Sequence, residues 1–265
     1  MSRRLQLRLA YNGERFSGWQ IQPDKRTVQG VLSDAIRGVC GETIVPKGSS
    51  RTDAGVHAAD QVASFTTTKN FSPDVWRRAI NAHLPNDVVV LRSSEVDPSF
   101  NPITDAEKKR YRYRIHDGEV RPVLARPFVW QWRSRLNISA MQNAASCLVG
   151  EHDFSSFENP SSPRASKVRT IHDITIKRHI GGESDADNEV WIEIEGNGFL
   201  YNMVRIIAGT LLMVGNGKRP EEWASAVLAD RQRTSAGPTA PAHGLLLLQI
   251  TLKHQPTATL HAPSS

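Results

Sequence analysis

The sequence predicts an α+β fold with a mixed, largely antiparallel sheet, and three observations predict it. Segments of two-residue hydrophobic period and segments of three-to-four-residue period are interspersed without regular alternation. Two alternating segments, 171–179 and 190–195, flank the polar loop 181–188 and read as a hairpin. After the region 100–110 the order of elements roughly repeats, without a residue-level repeat. That suggests two related subdomains, 1–105 and 106–253, ahead of a non-periodic mobile tail over 254–265.

Residues 4–11 alternate polar and apolar side chains, as a half-buried strand does. Val28, Val31, Leu32, Ala35, Ile36 and Val39 then recur at helical spacing, with Thr27 placed to cap the helix. Residues 61–67 form a second strand. Ser72-Pro73 is a cap followed by proline at the first helical position, and Val75, Trp76, Ala79 and Ile80 are expected to face the core behind it. Residues 88–92 are a short strand, and 108–115 a basic, aromatic one. Residues 128–132 read as a strand, and 137–148 as a helix with Gly150 as its stop. The hairpin follows, then a long apolar helix over 200–214 ended by Gly215, then a last strand over 245–252.

The chain has 265 residues, enough for one large or two medium domains, and no apolar run long enough to span a bilayer. Its first residues alternate rather than form the apolar stretch of a signal peptide, so a cytoplasmic location with no membrane partner is expected. Cys40 and Cys147 lie in or beside apolar helical patterns and read as small buried hydrophobes. No Cys/His pair has zinc spacing, so no metal is expected. Thirty-three Lys and Arg against 27 Asp and Glu give a net charge of +6, which favours a polyanionic partner.

Three features carry chemistry. The first is Gly48-Ser49-Ser50-Arg51-Thr52-Asp53-Ala54-Gly55-Val56-His57-Ala58, where small residues let the backbone approach a ligand and Arg51, Asp53 and His57 lie close in sequence. Asp-Ala-Gly is also ordinary turn chemistry. The second is Arg205 inside an otherwise apolar helix. A guanidinium keeps its charge, so if buried it needs an anion, and Asp53 is the candidate; otherwise it snorkels to water. The third is the strand with Lys109, Arg110, Tyr111, Arg112 and Tyr113. Alternation puts both tyrosines on one face and Arg112 on the other, a pattern suited to base stacking with backbone contacts.

Together these features resemble the TruA-type tRNA pseudouridine synthase family, from Tyr11 to about Leu252. The motifs are Phe16-Ser17-Gly18-Trp19-Gln20, Thr27-Val28-Gln29-Gly30, Arg51-Thr52-Asp53-Ala54-Gly55-Val56-His57-Ala58 with Gln61-Val62, Asn81-Ala82-His83-Leu84-Pro85, Arg110-Tyr111-Arg112-Tyr113, and Gly150-Glu151-His152-Asp153-Phe154-Ser155-Ser156-Phe157. The segment 199–209 and Thr239-Ala240-Pro241-Ala242-His243-Gly244-Leu245 complete the set. The resemblance implies the pseudouridine synthase fold, a mixed sheet with flanking helices and two subdomains around a basic cleft, usually in a homodimer. It implies isomerisation of uridine to pseudouridine at nucleotides 38, 39 and 40 of the tRNA anticodon stem-loop, with no metal and no small-molecule cofactor. Asp53 matches the family's essential aspartate, Tyr111 the tyrosine that stacks on the target base, and Arg205 the arginine that pairs with the aspartate. Arg51 matches an arginine that contacts RNA or organises the loop.

Two positions depart from the family pattern. Ser50 stands where glycine is common. Phe100-Asn101-Pro102-Ile103 stands where Phe-His-Ala-Arg is usual, so Ile103 replaces an arginine that helps displace the flipped nucleotide, and Lys109 and Arg110 are the candidates to substitute. The alternatives are a catalytically silent RNA-binding protein of the same fold, a hydrolase built on Asp-Ala-Gly, and a metal site from Asp53, His57 and Asp60. An aspartic hydrolase needs two such turns, and one occurs here.

Overall fold

The computed structural model describes residues 2–161, 166–179 and 188–253. The first half of the chain supplies β1 (Arg3–Tyr11), α1 (Val28–Cys40), β2 (Lys47–Gly48), β3 (His57–Thr67), α2 (Pro73–His83) and β4 (Val88–Val96). The second half supplies β5 (Ala106–His116), β6 (Trp130–Gln131), α3 (Ile138–Ser146), β7 (Gly150–Asp153), β8 (Val168–His179), β9 (Glu189–Gly196), α4 (Met203–Gly215), α5 (Trp223–Asp230) and β10 (Leu245–Leu252).

All ten strands join one sheet, whose main path runs β4-β1-β3-β10-β5-β9-β8-β7. Among the described residues only the β10–β3 and β5–β6 pairings are parallel. The last strand is the hinge of the design. It lies beside β3 (Leu246 opposite His57) and antiparallel to β5 (Leu247 opposite Tyr111), so the two halves share one sheet across their seam. A loop entering β3 and a side chain on β5 are thereby brought within reach of each other, although far apart in sequence.

Local chemistry explains most boundaries. Thr27, Ser72 and Asn137 each accept a hydrogen bond from a backbone N–H in the first turn of α1, α2 and α3. Leu5, Leu7 and Leu9 of β1 face Phe65, Ala63 and Gln61 of β3 on one side of the sheet, and the leucines are fully buried. On the opposite side of the second half a charge ladder runs across β5 and β9, with Arg112–Glu193 at 2.6 Å and Arg114–Glu189 at 2.7 Å.

Several expectations shift. On α2 only Trp76 and Ile80 are buried, while Val75 is exposed; the Trp76 ring against Phe65 fills the contact and leaves the flanking arc outside. The strand expected over 128–132 shrinks to Trp130–Gln131, because Arg126–Phe128 form a 3-10 turn just before it. The helix expected over 137–148, with Gly150 as its stop, runs from Ile138 to Ser146 with Cys147 as its C-cap. Gly150 instead opens β7 with φ +113°, a conformation open to glycine. Strand β7 and helix α5 had no clear periodic signal. The expected tail, 254–265, lies outside the described residues, as does most of the 181–188 loop. No helix among the described residues is long and apolar enough to cross a membrane.

Candidate active site

The loop between β2 and β3 is fixed by contacts that its small residues permit. Gly18 passes so close that a Cβ there would meet the Thr52 carbonyl at 2.7 Å, and Gly48 lies against the Trp19 indole at a spacing no Cβ fits. The Trp19 backbone N–H donates to the Thr52 carbonyl at 3.0 Å. Gln61, fully buried on β3, braces the loop from beneath. Its amide donates to the Ser50 carbonyl at 2.7 Å and its carbonyl accepts from the Ser50 N–H at 3.2 Å. Tyr11 adds a hydrogen bond of 2.8 Å to the Thr52 hydroxyl. Backbone polar groups of a buried loop need such partners, and here they have them.

This scaffold holds Asp53 beside the first turn of α4. The Arg205 Nη1 donates to Asp53 Oδ2 at 3.4 Å, and both side chains are under one-fifth exposed. The contact is single and long. The guanidinium has two further partners: Nε donates to the Ala240 carbonyl, and the same Nη1 donates to Asn202 Oδ1, each at 2.8 Å. Burial pushes the Asp53 carboxyl above its ordinary range, and Arg205 pulls it back only in part. Among the described residues the Asp53 carboxylate accepts no hydrogen bond besides that from Arg205, so Oδ1 remains for a ligand.

Tyr111 completes the group. Its hydroxyl shares a 2.9 Å hydrogen bond with Ser50 Oγ, and Phe199 meets its ring edge-on at 5.2 Å. Burial and the nearby Asp53 charge push the phenol up to about 12. Asp53 and Tyr111 line one cavity of about 980 Å³. Lys47, Arg51, Lys109 and Arg169 also line it, and Asp53 is its one acid among the described residues. Arg205 stands behind this wall, between the lining residues Asn202 and Val204 and the Ala240 strand approach.

The other sequence candidates divide. Arg51 is exposed at the rim. Lys109 donates to the Ser49 carbonyl at 2.8 Å, supporting the loop from β5. Arg110, expected to touch RNA, lies on the far face of the sheet, with Nε 3.4 Å from Glu195; strand alternation turns it away from Tyr111. Ile103 sits on the cavity rim, 51% exposed. Tyr113 is core, its hydroxyl donating to the Pro241 carbonyl at 2.8 Å.

His57 is outside the cavity altogether. Its Nδ1 accepts from the Gly13 N–H at 3.0 Å, and Nε2–H donates toward the Pro127 and His243 carbonyls at 3.1 and 3.2 Å. Asp60 pairs with Arg8, so the Asp53, His57 and Asp60 metal set does not assemble. Among the described residues no His, Cys, Asp and Glu cluster suits a metal ion. A second cavity, about 430 Å³ and mostly apolar, is walled by His57 and Phe128 and does not include Asp53.

The sequence motifs contain Gln61 and Ser50 but not the contacts by which they organise the site. Gln61, Tyr11 and Ser50 offered no periodic signal of their roles. Asn202 did offer one, being a polar residue three positions before the arginine of an apolar helix.

The family model for tRNA pseudouridine synthase matches residues 9–102 and 144–251. The chain is 46% identical over 248 residues to tRNA pseudouridine synthase A of Brevibacillus brevis, covering 94% of this chain and 99% of that one. It is 44% identical to tRNA pseudouridine synthase A of Halalkalibacterium halodurans, covering 92% and 90%. Among solved structures it is similar to a Cbf5-Nop10-Gar1 complex at a TM-score of 0.32 and 12% identity, over 78% of this chain and 54% of that one. The class is that of RNA-modifying isomerases. The chain belongs to the tRNA pseudouridine synthase family.

Proposed function

We propose that this protein isomerises uridine to pseudouridine in tRNA, at nucleotides 38, 39 and 40 of the anticodon stem-loop, with Asp53 as the essential carboxylate. The observation that carries the reading is the 3.4 Å approach of Arg205 to Asp53, with Asp53 and Tyr111 on the wall of one basic cavity. A cavity of about 980 Å³ accepts a flipped nucleotide. Extruding the base from the stem costs a few kcal/mol. Stacking on the Tyr111 ring returns roughly 1–3 kcal/mol. Asp53 then acts in its ionised form while the glycosidic bond breaks and the base turns and rejoins through carbon. Closure around the base keeps water from the open sugar.

In this reading Arg205 holds Asp53 and favours its charged form, while Arg51 and Lys109 serve the RNA backbone and the loop. Ile103 takes no part in displacing the nucleotide by charge. The chain works as a cytoplasmic homodimer of two-subdomain protomers, 1–105 and 106–253, on tRNA, without metal or small-molecule cofactor.

The test is Asp53→Asn, which keeps the shape and removes the charge. Product formation on unmodified tRNA should vanish while tRNA affinity stays close to that of the unaltered protein. A variant that still forms pseudouridine would show that Asp53 is not the reactive group. If the unaltered protein binds tRNA tightly and makes no product, it is a silent RNA-binding protein.

A further inference from the structure

Asn202 occupies the residue just before α4, at φ +62° and ψ +5°. It is one of three non-glycine residues among those described with positive φ. Such a conformation costs on the order of 1–3 kcal/mol for a residue with a side chain, and persists where the surroundings impose it. An asparagine at a helix start normally turns its amide oxygen to an exposed N–H of the first turn, as Asn137 does for α3. Asn202 makes no such side-chain cap. Its Oδ1 instead accepts from Arg205 Nη1 at 2.8 Å, one turn along the helix.

The alternatives for holding Arg205 are few. Its neighbours on α4 are apolar and buried, so the helix itself supplies no polar side chain to orient a guanidinium. Apart from Asn202, the guanidinium is held by the Ala240 carbonyl at Nε and by the long contact with Asp53 itself. The same Nη1 that reaches Asp53 at 3.4 Å is the one bound by Asn202. We propose that Asn202 is a positioning residue for catalysis: its left-handed backbone and amide oxygen lock the Arg205 guanidinium in the orientation that faces Asp53. This rests on the proposed role of Asp53 and extends it to a residue that touches no reacting atom.

The consequence is electrostatic. The charged and titratable groups that line the cavity with Asp53 are Lys47 on β2, Arg51 on its own loop, Lys109 and Tyr111 on β5, Arg169 on β8 and Tyr201 ahead of α4, with Arg205 of α4 in contact from behind the wall. Arg205 is the one that lowers the carboxyl's affinity for a proton. An Arg205 that wanders lowers it less, so less of Asp53 is ionised at a given pH.

The experiment compares Asn202→Gly and Asn202→Ala in single-turnover pseudouridine formation on tRNA across pH. Glycine accepts φ +62° without strain and removes only the amide; alanine removes the amide and adds strain. Both variants should lose rate by about tenfold to a hundredfold at neutral pH, the scale of a misplaced catalytic group. The acid limb of both should move to higher pH, with tRNA affinity unchanged. Adding Asn202→Gly to Arg205→Met should cost no further rate. A folded Asn202→Gly protein with the original rate and acid limb overturns the proposal, as does an undiminished loss in the Arg205→Met background. Failure of the Asp53 reading shows separately, as an active Asp53→Asn variant.

Discussion

Burial sets the working range of Asp53. Desolvation raises its carboxyl more than Arg205 lowers it, so the ionised form predominates only above a midpoint higher than that of a free aspartate. The acid limb of the single-turnover rate should lie above the ordinary aspartate range and fall as pH drops through it. Arg205→Lys keeps one charge but cannot reach Asp53, Ala240 and Asn202 together, and should lower the rate by about a hundredfold. The raised carboxyl has a second consequence. Above its pKa the folded state holds a charge it disfavours, so Asp53→Asn should leave the urea unfolding midpoint unchanged or raise it. The Ser50–Tyr111 hydrogen bond is separable in the same way. Ser50→Gly and Tyr111→Phe each remove it, and in a double-mutant cycle for unfolding they should couple by about 1 kcal/mol. Additive effects would show that the two hydroxyls do not depend on each other. Arg205 was legible as a charge inside an apolar helix, whereas Asp53 and Tyr111 stood out through the family motifs that carry them. Ser50 was legible only as a departure from a pattern; its partner on β5 is visible in three dimensions alone.

At the scale of elements, α4 shows why a mostly apolar helix tolerates an arginine. Every residue from Ile206 to Leu212 is buried, and Arg205 lies at the one end that meets the site. The approach segment to β10 lies against this helix. A Cβ on Gly209 would stand 1.8 Å from the Pro238 carbonyl, and Thr210 Oγ1 accepts from the Gly237 N–H at 3.0 Å. The Ala240 carbonyl that anchors Arg205 belongs to the same segment. Gly209→Ala should therefore lower stability by about 1–3 kcal/mol as the segment is pushed off, read as a lower urea midpoint. Activity should fall further than stability explains, because the Ala240 anchor moves with the segment. Unaltered stability would mean that the segment yields without strain. The helix boundaries themselves were largely legible: Thr27, Ser72 and Asn137 cap as their types predict. The 128–132 strand was overcalled because periodicity is silent about the turn at Pro127.

For the molecule as a whole, the seam between the halves is held by more than strand pairing. His57 at the start of β3 binds Gly13 from the first half and the Pro127 and His243 carbonyls from the second. Burial holds its ring neutral and lowers its affinity for a proton below that of a free histidine. The sign follows directly: this contribution to stability is complete above the unfolded value near 6.5 and is lost as pH falls through the lower folded value. His57→Gln keeps a donor and an acceptor without titrating. The stability gap between the unaltered protein and this variant should narrow between about pH 8 and pH 5 in urea titrations. A gap independent of pH would remove His57 as a titrating tie.

The sequence by itself determined the α+β class, most strands and helices, the chemical candidates Asp53, Tyr111 and Arg205, and the family pattern that joins them. Those features are written in local periodicity, in cap residues and in unusual residue choices, all of which act over a few positions. Tertiary structure alone decided that β10 crosses the seam between β3 and β5, and that His57 stands outside the cavity and ties the halves. It also decided the balance at Asp53, because desolvation depends on what surrounds a carboxyl in space and has no signature along the chain.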